Sequence, residues 1–347
     1  LLEEFGEFVG FKSKAVVAGA ATLGGALCGY ARAALTDPVA PLFGSDYKLA
    51  FSQNFAAMTS DSQIGVVAGS TLTPGNTWIS HYPTGDNADF IDPQGHDIPF
   101  GIDGPGAGNN YLTIRTQQGY TANPYTGNYS EGALSSMDSS GNGFAQQFGY
   151  FEVSMWVPHI TGATNNDDPN TWPAFFLQSR TNGTEIDVTE SYGNYGTGKN
   201  QNPAGNPNIS QMTVHDYANN TATQAVVSEP TMTTGFHQYG VDVEPTGITF
   251  YYDRNEVWET PFIADAATPF YVLVDNALGG GNHNNADGSD YNWNLTANPS
   301  DLEVQYVAVW ASPDSPNYLS VPEPTGVMVA AVGASSLLVR RRRTRLI

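Results

Sequence analysis

This sequence predicts an all-β fold, with two antiparallel sheets stacked as a jelly-roll sandwich. Three observations carry that prediction. Short runs of alternating apolar and polar residues recur along the chain. Gly, Asn, Pro and Asp separate them. Helical periodicity is almost absent. The 347 residues include 37 Gly and 22 Pro, yet 40 % are hydrophobic and 12 % aromatic. Such a chain is rich in turns and still carries enough apolar surface for a core.

The strands are read in order. LTIRT (112–116), GYFEVSMWVP (149–158), WPAFFLQ (172–178), EIDVTE (185–190) and QMTVHDY (211–217) form the first set. HQYGVDVE (237–244), GITFYYD (247–253), FYVLVDNAL (270–278) and LEVQYVAVWA (302–311) form the second. Pro245, Thr246 and Gly247 supply a hairpin turn between two of them. No internal repeat is visible from 34 to 321. The polar stretches Thr161–Asn170 and Gly279–Asn292 are long for a sandwich and are expected to edge a cleft; ordinary surface decoration is the plainer reading of each.

Both ends read as addresses rather than fold. Residues 12–33, KSKAVVAGAATLGGALCGYARA, have a basic start, an apolar run and a closing A-x-A. That pattern is a secretory signal peptide, assigned to 1–33 and cut near Ala33. The folded domain is expected over 34–312, with a linker at 313–321. At the far end, Pro322 and Pro324 precede an apolar run from Gly326 to Val339 and a cluster of arginines at 340–343 and 345. The run is short for a stable span, which needs about 20 residues, and the arginines would hold its end in the cytoplasm. Residues 322–347 resemble the PEP-CTERM sorting signal of Gram-negative bacteria. The resemblance implies transient membrane anchoring, processing by an exosortase-type enzyme, and delivery to the cell envelope or the exterior.

Composition excludes several partners. The formal net charge is −21, and only 13 residues are Lys or Arg. Most of these lie in the two terminal segments, leaving Lys48, Arg115, Arg180, Lys199 and Arg254 between them. Nucleic acid and anionic lipid would be repelled, and heavily sulfated ligands lack the basic groups that normally hold them. The single cysteine, Cys28, lies in the leader, so the domain has neither a disulfide nor a cysteine metal site.

The stretch TNGTEIDVTESYG (181–193) concentrates three carboxyl groups, Glu185, Asp187 and Glu190. On a strand, side chains alternate. Glu185 and Asp187 then share one face, and Ile186 and Val188 share the other. Strict alternation sends Glu190 to the wrong side, and one β-bulge near Val188 and Thr189 brings it back. Two carboxyl groups across one glycosidic bond are what glycoside cleavage requires, and a retaining enzyme holds them about 5–5.5 Å apart. Crowding raises the proton affinity of at least one, so an acid and a nucleophile can coexist. A solvated acidic strand face is the plain alternative. An EF-hand loop does not fit, because its spacing is missing.

The ordered series GYFEVSMWVP, TWPAFFLQ, EIDVTE, FHQYGVDVEPTGITFYYD, PFYVLVDNALGGG and LEVQYVAVW resembles glycoside hydrolase family 16. This is the laminarinase and agarase group of concanavalin A-like jelly rolls. YKLAFSQNF (47–55) and NYSEGALSS (128–136) extend the resemblance over about 45–311. It implies Glu185 as nucleophile, Glu190 as general acid/base, and Asp187 as the carboxylate that sets the nucleophile's position and protonation. The extra residue before Glu190 places the chain with the bulged E-x-D-x-x-E branch. Trp172 matches the first sugar-stacking aromatic of a W-P-A-F-W pattern, and Phe176 stands where a second Trp is usual. His215 falls where many members carry a cleft histidine, which binds a sugar hydroxyl or makes a structural hydrogen bond. Trp293, in the loop stretch DYNWN, is a candidate rim platform, with simple surface packing the plainer reading. Glu152 and Trp156 share a strand face and are further cleft candidates. His237 reads as structural. No cofactor is required, and a structural Ca²⁺ on the convex side is a further expectation, with ligands unidentified.

Together these features predict a secreted, endo-acting, retaining glycosidase on a β-linked polysaccharide, foremost a β-1,3-glucan. An agar-type galactan is the second substrate. A carbohydrate-binding envelope protein without turnover is the alternative from another class.

Overall fold

Alternating strands have one apolar face each, and two sheets can bury those faces against each other. The computed structural model describes residues 42–317 apart from 45, 68–70, 81, 84–98, 119–128, 131, 159–170, 182, 192–208, 229–230, 262–267 and 279–299. The segment read as a leader (1–33), the segment read as a sorting signal (322–347), both long polar loops and Trp293 therefore lie outside the described residues.

Among the described residues, seventeen strands run in chain order. The first eight are β1 (Lys48–Asn54), β2 (Val66–Val67), β3 (Trp78–Ile79), β4 (Phe100–Asp103), β5 (Tyr111–Gln118), β6 (Tyr129–Ser130), β7 (Gly132–Ser135) and β8 (Gly149–Trp156). Then come β9 (Thr171–Ser179), β10 (Thr184–Glu190), β11 (Ile209–Asp216), β12 (Thr221–Ser228) and β13 (His237–Glu244). Last are β14 (Gly247–Tyr252), β15 (Asn255–Thr260), β16 (Phe270–Leu278) and β17 (Ser300–Ala311). One sheet has the order β15-β14-β13-β8-β17-β5-β4, with β1 beside the second half of β17 and β6 beside β5. The other has the order β12-β11-β10-β9-β16-β7-β3-β2. Pairing is antiparallel except between the two-residue strands β2 and β3.

All nine strands read from the sequence are present. Two missed strands are instructive. In β12, TATQAVVS, most residues are exposed on both faces, so no apolar alternation marks it. β15 follows a tight turn in which Asp253 and Arg254 both have positive φ, with Tyr252 paired to Asn255. A type I′ hairpin needs that conformation, and Asn or Gly are its usual signals. The turn between β13 and β14 is Pro245-Thr246, because Glu244 already pairs with Gly247.

The core lies between the sheets. Phe151, Val153 and Met155 of β8 meet Phe175 and Leu177 of β9 and Ile186 of β10, all fully buried. β17 contributes Leu302 and Val304, then Val307 and Val309, because a register shift at 304–306 resets its alternation. Gly149 opens β8 at φ 142°, where a Cβ would lie 2.0 Å from the Trp310 carbonyl oxygen. Only glycine fits there.

The outer face of the nine-stranded sheet carries a second aromatic layer. Tyr150, Tyr306 and Trp310 are covered by Phe43, Tyr47 and Tyr251. Glu152 belongs to this layer, which corrects its expected place in the cleft. It is fully buried and bound by Arg254 at 3.0 Å, Tyr150 at 2.8 Å and Tyr306 at 2.7 Å. Its strand alternates as read, but its polar face belongs to the other sheet. Trp156 shares that face, and its indole donates to the Thr233 carbonyl at 3.0 Å. The segment expected as a linker begins seated on the domain, with Ser315 and Asn317 bonded to Gln146.

Candidate active site

The site grows from one turn and one strand. The Ser179 hydroxyl accepts from the backbone N–H groups of Gly183 and Thr184, at 3.0 and 3.1 Å, and so sets the entry into β10. Along β10, Glu185 and Asp187 point to the open face of the eight-stranded sheet, while Ile186 and Val188 join the core. The register then slips. Asp187 pairs with Phe176, Thr189 with Phe175 and Glu190 with Ala174 on β9. On β11, Asp187 pairs with Thr213 and Glu190 with Gln211. Three steps on β10 thus match two on either neighbour, which is a one-residue bulge at Val188 and Thr189. Thr189 turns inward to bond Ser210 at 2.6 Å, and Glu190 returns to the open face beside the other two acids.

Neighbouring strands complete rows across this face. Glu185 lies between His215 on β11 and Gln178 on β9, with Tyr271 of β16 beyond. Asp187 lies between Thr213 and Phe176, with Leu273 beyond. Glu190 lies beside Ala174, with Asp275 beyond. Paired residues across antiparallel strands share a face, so Trp172, Ala174, Phe176 and Gln178 line it along β9. Tyr82 reaches over from a distant segment. Its ring meets Phe176 edge-on at 5.9 Å, and its hydroxyl bonds Asp275.

Each acid has named partners. The Tyr217 hydroxyl donates to Glu185 Oε1 at 2.8 Å, and Gln178 Nε2 donates to Oε2 at 3.2 Å. Tyr271 in turn donates to Gln178. His215 Nε2 lies 3.1 Å from Asp187 Oδ2. Trp172 Nε1 donates to Glu190 Oε1 at 3.1 Å. Trp172, Phe176 and His215 therefore lie on the same open face as the three acids.

Burial dominates the electrostatics. It raises the Glu185 carboxyl above its ordinary range, while the Tyr217 hydroxyl, the His215 charge and the Gln178 amide pull it back. Asp187 is raised well above the usual range, first by burial and then by the charge of Glu185; a hydrogen bond with Glu190 opposes this, and Asp275 adds to it. Asp275 is pushed up to about 8 by burial and by Glu190 and Glu185, with the Tyr82 bond opposing. Four carboxyl groups in one desolvated patch cannot all ionise at neutral pH. A protonated acid and an ionised nucleophile can then coexist on one face.

Sequence reasoning left four participants unassigned. Gln178 and Tyr217 were readable, since each lies two residues from a predicted site residue on the same strand run. Asp275 needed the β16–β9 register, and Tyr82 needed a contact spanning 193 residues. Arg180 carries its guanidinium to the Gly141 carbonyl at 3.1 Å.

One grouping among the described residues has metal-binding geometry. An oxygen each from Glu185 and Asp187 and a ring nitrogen of His215 lie within 4.8 Å of one another. An imidazole suits a transition metal better than Ca²⁺, which prefers oxygen throughout. On the outer face, Asp242 and Glu244 are closed by the Tyr47 hydroxyl at 3.1 and 2.7 Å. Neither grouping bears on the Ca²⁺ expected on the convex side, whose ligands stay unassigned.

A β-sandwich with two glutamates and an aspartate gathered on one open sheet face defines a class, the jelly-roll glycoside hydrolases. The profile described as Glycosyl hydrolases family 16 matches residues 108–294, and the chain belongs to that family. Endo-1,3-1,4-beta-glycanase EglC of Rhizobium meliloti (strain 1021) is 34 % identical over 158 residues, which are 44 % of this chain and 28 % of that protein. Endo-1,3-1,4-beta-glycanase ExsH of the same organism is 28 % identical over 188 residues, 53 % of this chain and 34 % of that protein. The chain thus spans about a third of the length of these relatives. The fold is shared with an endo-1,3-beta-glucanase (laminarinase) catalytic domain from Thermotoga petrophila RKU-1. That similarity has a TM-score of 0.54 at 16 % identity, over 78 % of this chain and 99 % of that one. The laminarinase from Rhodothermus marinus gives a TM-score of 0.53 at 18 % identity, over 77 % and 98 %.

Proposed function

We propose that this protein is an endo-acting, retaining β-glucan hydrolase that cleaves a glucan containing β-1,3 linkages. One observation carries this reading: the bulge in β10 brings Glu185, Asp187 and Glu190 onto one open face, in a family of glycoside hydrolases. The names of the two relatives and of the solved laminarinases support the substrate class. The same bulge supports placing the chain in the bulged branch of the family.

In the first step Glu185 attacks the anomeric carbon, and Glu190 delivers its proton to the leaving glycosidic oxygen. The bond from carbon to that oxygen breaks as the bond to Glu185 forms, giving a covalent glycosyl-enzyme. In the second step Glu190, now a base, takes a proton from water, which displaces Glu185 and restores the β anomer. Asp187, buried between the two, spaces their protonation states, and His215 holds it. Trp172 orients Glu190 through its indole N–H. Trp172 and Phe176 offer ring faces to sugars; a phenyl at 176 gives less stacking area than an indole and no N–H donor. The chemistry uses side chains alone and needs no cofactor.

Delivery belongs to the same proposal. The leader at 1–33 and the PEP-CTERM-like segment at 322–347 point to export, exosortase-type processing and an envelope or extracellular site of action. Among the described residues no helix is long and apolar enough to cross a membrane.

The test is digestion of laminarin, mixed-linkage glucan, agarose and carrageenan side by side, with NMR of the first product anomer. Release from the first two, with the β anomer first, is expected. Release from agarose alone would move the substrate to a galactan, and the α anomer first would reject the retaining mechanism. Glu185→Gln should lower reducing-sugar release at least 10³-fold. Binding of glucan with no release by the unaltered protein would make it a carbohydrate-binding protein.

A further inference from the structure

Tyr217 lies outside the three-carboxylate motif, at the start of the turn between β11 and β12. Among the described residues it is one of the few large hydrophobic side chains left exposed, at 48 %. A half-exposed ring contributes little to the core, so burial does not account for its position. Three restraints do. Its backbone N–H donates to the Gly183 carbonyl at 3.0 Å, tying this turn to the one that launches β10. The Asp216 carboxylate accepts from the Asn219 N–H at 3.1 Å and from Asn219 Nδ2 at 2.7 Å, and Asn220 takes a φ of 52° to close the hairpin. The ring stacks on His215, with centroids 5.4 Å apart and planes 8° from parallel. So held, the hydroxyl lies 2.8 Å from Glu185 Oε1.

Resting on the catalytic reading above, we infer that Tyr217 is a positioning residue for the nucleophile, clamping Glu185 from the solvent side while Gln178 clamps it from β9. With one donor on each oxygen, the carboxylate plane is fixed and the ionised form is favoured. A hydroxyl at this distance is a better donor to a carboxylate than to a carboxylic acid. It therefore opposes the burial that would otherwise protonate Glu185. Every group facing Glu185 enters the same balance. Asp187 and Glu190 on its own strand repel its charge, as does Asp275 on β16. His215 on β11 attracts it when protonated, and Tyr271 on β16 acts through Gln178. Tyr217 is a donor to Glu185 from outside the sheet, and the only atom its role requires is the phenol oxygen.

The test is Tyr217→Phe, which keeps the ring and the stack on His215 and removes only that oxygen. Far-UV circular dichroism and melting should match the parent. On laminarin, kcat should fall about tenfold with KM within about twofold, the loss expected for one hydrogen bond to a charged group. The acidic limb of kcat/KM against pH should move up by about one pH unit, because Glu185 now loses its proton less readily. An acidic limb superimposable on the parent's would overturn the inference, as would a change in KM alone. Glu185→Gln, run in parallel, separates the two levels. If it stays active, the catalytic reading itself is wrong. If it is inactive while Tyr217→Phe keeps the parental profile, only the positioning role is lost.

Discussion

Asp275 illustrates how much a single buried carboxyl can ask of the fold. It is 3 % exposed, it lies across Ala174 from Glu190, and burial first, then the charges of Glu190 and Glu185, push it up to about 8. In the unfolded chain the same group titrates near 3.8. Between those values the folded protein holds a proton that the unfolded chain has released, so stability falls as pH rises through the interval. Asp275→Asn keeps the shape and the Tyr82 contact but cannot ionise. Its melting temperature should equal the parent's near pH 4 and exceed it by several degrees at pH 8.5. Equal melting temperatures at both pH values would mean that Asp275 ionises freely in the fold. The neighbouring Trp172 matters in another way. Its indole N–H donates to Glu190 at 3.1 Å and so helps set the orientation of that carboxyl.

At the scale of elements, the bulge in β10 decides whether the site exists. Val188 and Thr189 both face the core, and Glu190 returns to the open side because two residues occupy one step. Deletion of Thr189 restores strict alternation with Glu185, Asp187 and the final glutamate still on one face. That variant should fold cooperatively and keep measurable activity, although Ser210 loses its partner. Insertion of one alanine after Thr189 puts the glutamate six positions from Glu185. With the bulge kept it faces the core, and with the bulge straightened it returns to the open face opposite Trp172 rather than Ala174. Either way it leaves its place beside Asp187, so that variant should lose turnover. Comparable activity in the two variants would show that the place of this acid is set by something other than the bulge. The odd spacing of Glu190 made this bulge legible before any coordinates. β12 was illegible for the converse reason: an exposed edge strand needs no apolar face, so its residues carry no period.

For the molecule as a whole, several acids shift in one direction. Asp242 is pushed up to about 7 by burial and by Glu244. Glu303 is pushed up to about 7 by burial and by Asp301 and Asp103. With Asp275 they make the folded state hold extra protons above about pH 4, and stability declines as pH rises toward 8. Asp138 runs the other way. Burial alone would raise it, but the Asn142 side chain and the N–H groups of Leu72, Asn142 and Ser140 hold it below its ordinary value. Its contribution is present above 3.8 and is lost as pH falls through its folded value. A net charge of −21 adds self-repulsion that grows with pH. The melting temperature, measured from pH 3 to 9 at constant salt, should peak near pH 4–6 and fall on both sides. A steady rise to pH 8 would contradict the assignment of raised carboxyls.

Local sequence was enough to read nine of the strands, the alternation of their faces, the three crowded acids and the need for a bulge between them. Alternation is a property of adjacent residues, and a motif of six residues carries it whole. Tertiary structure decided which polar face opens to the site and which is buried under the outer layer. Glu152 and Glu185 look alike on their strands, yet the first is fully buried by Arg254, Tyr150 and Tyr306 while the second sits among the site residues. It also decided the register that brings Asp275 beside Glu190, and the path that brings Tyr82 over Asp275 from 193 residues away. The reason is that a period of two assigns sides within a strand, whereas register and layer order arise only when distant strands compete to bury their apolar faces in one core.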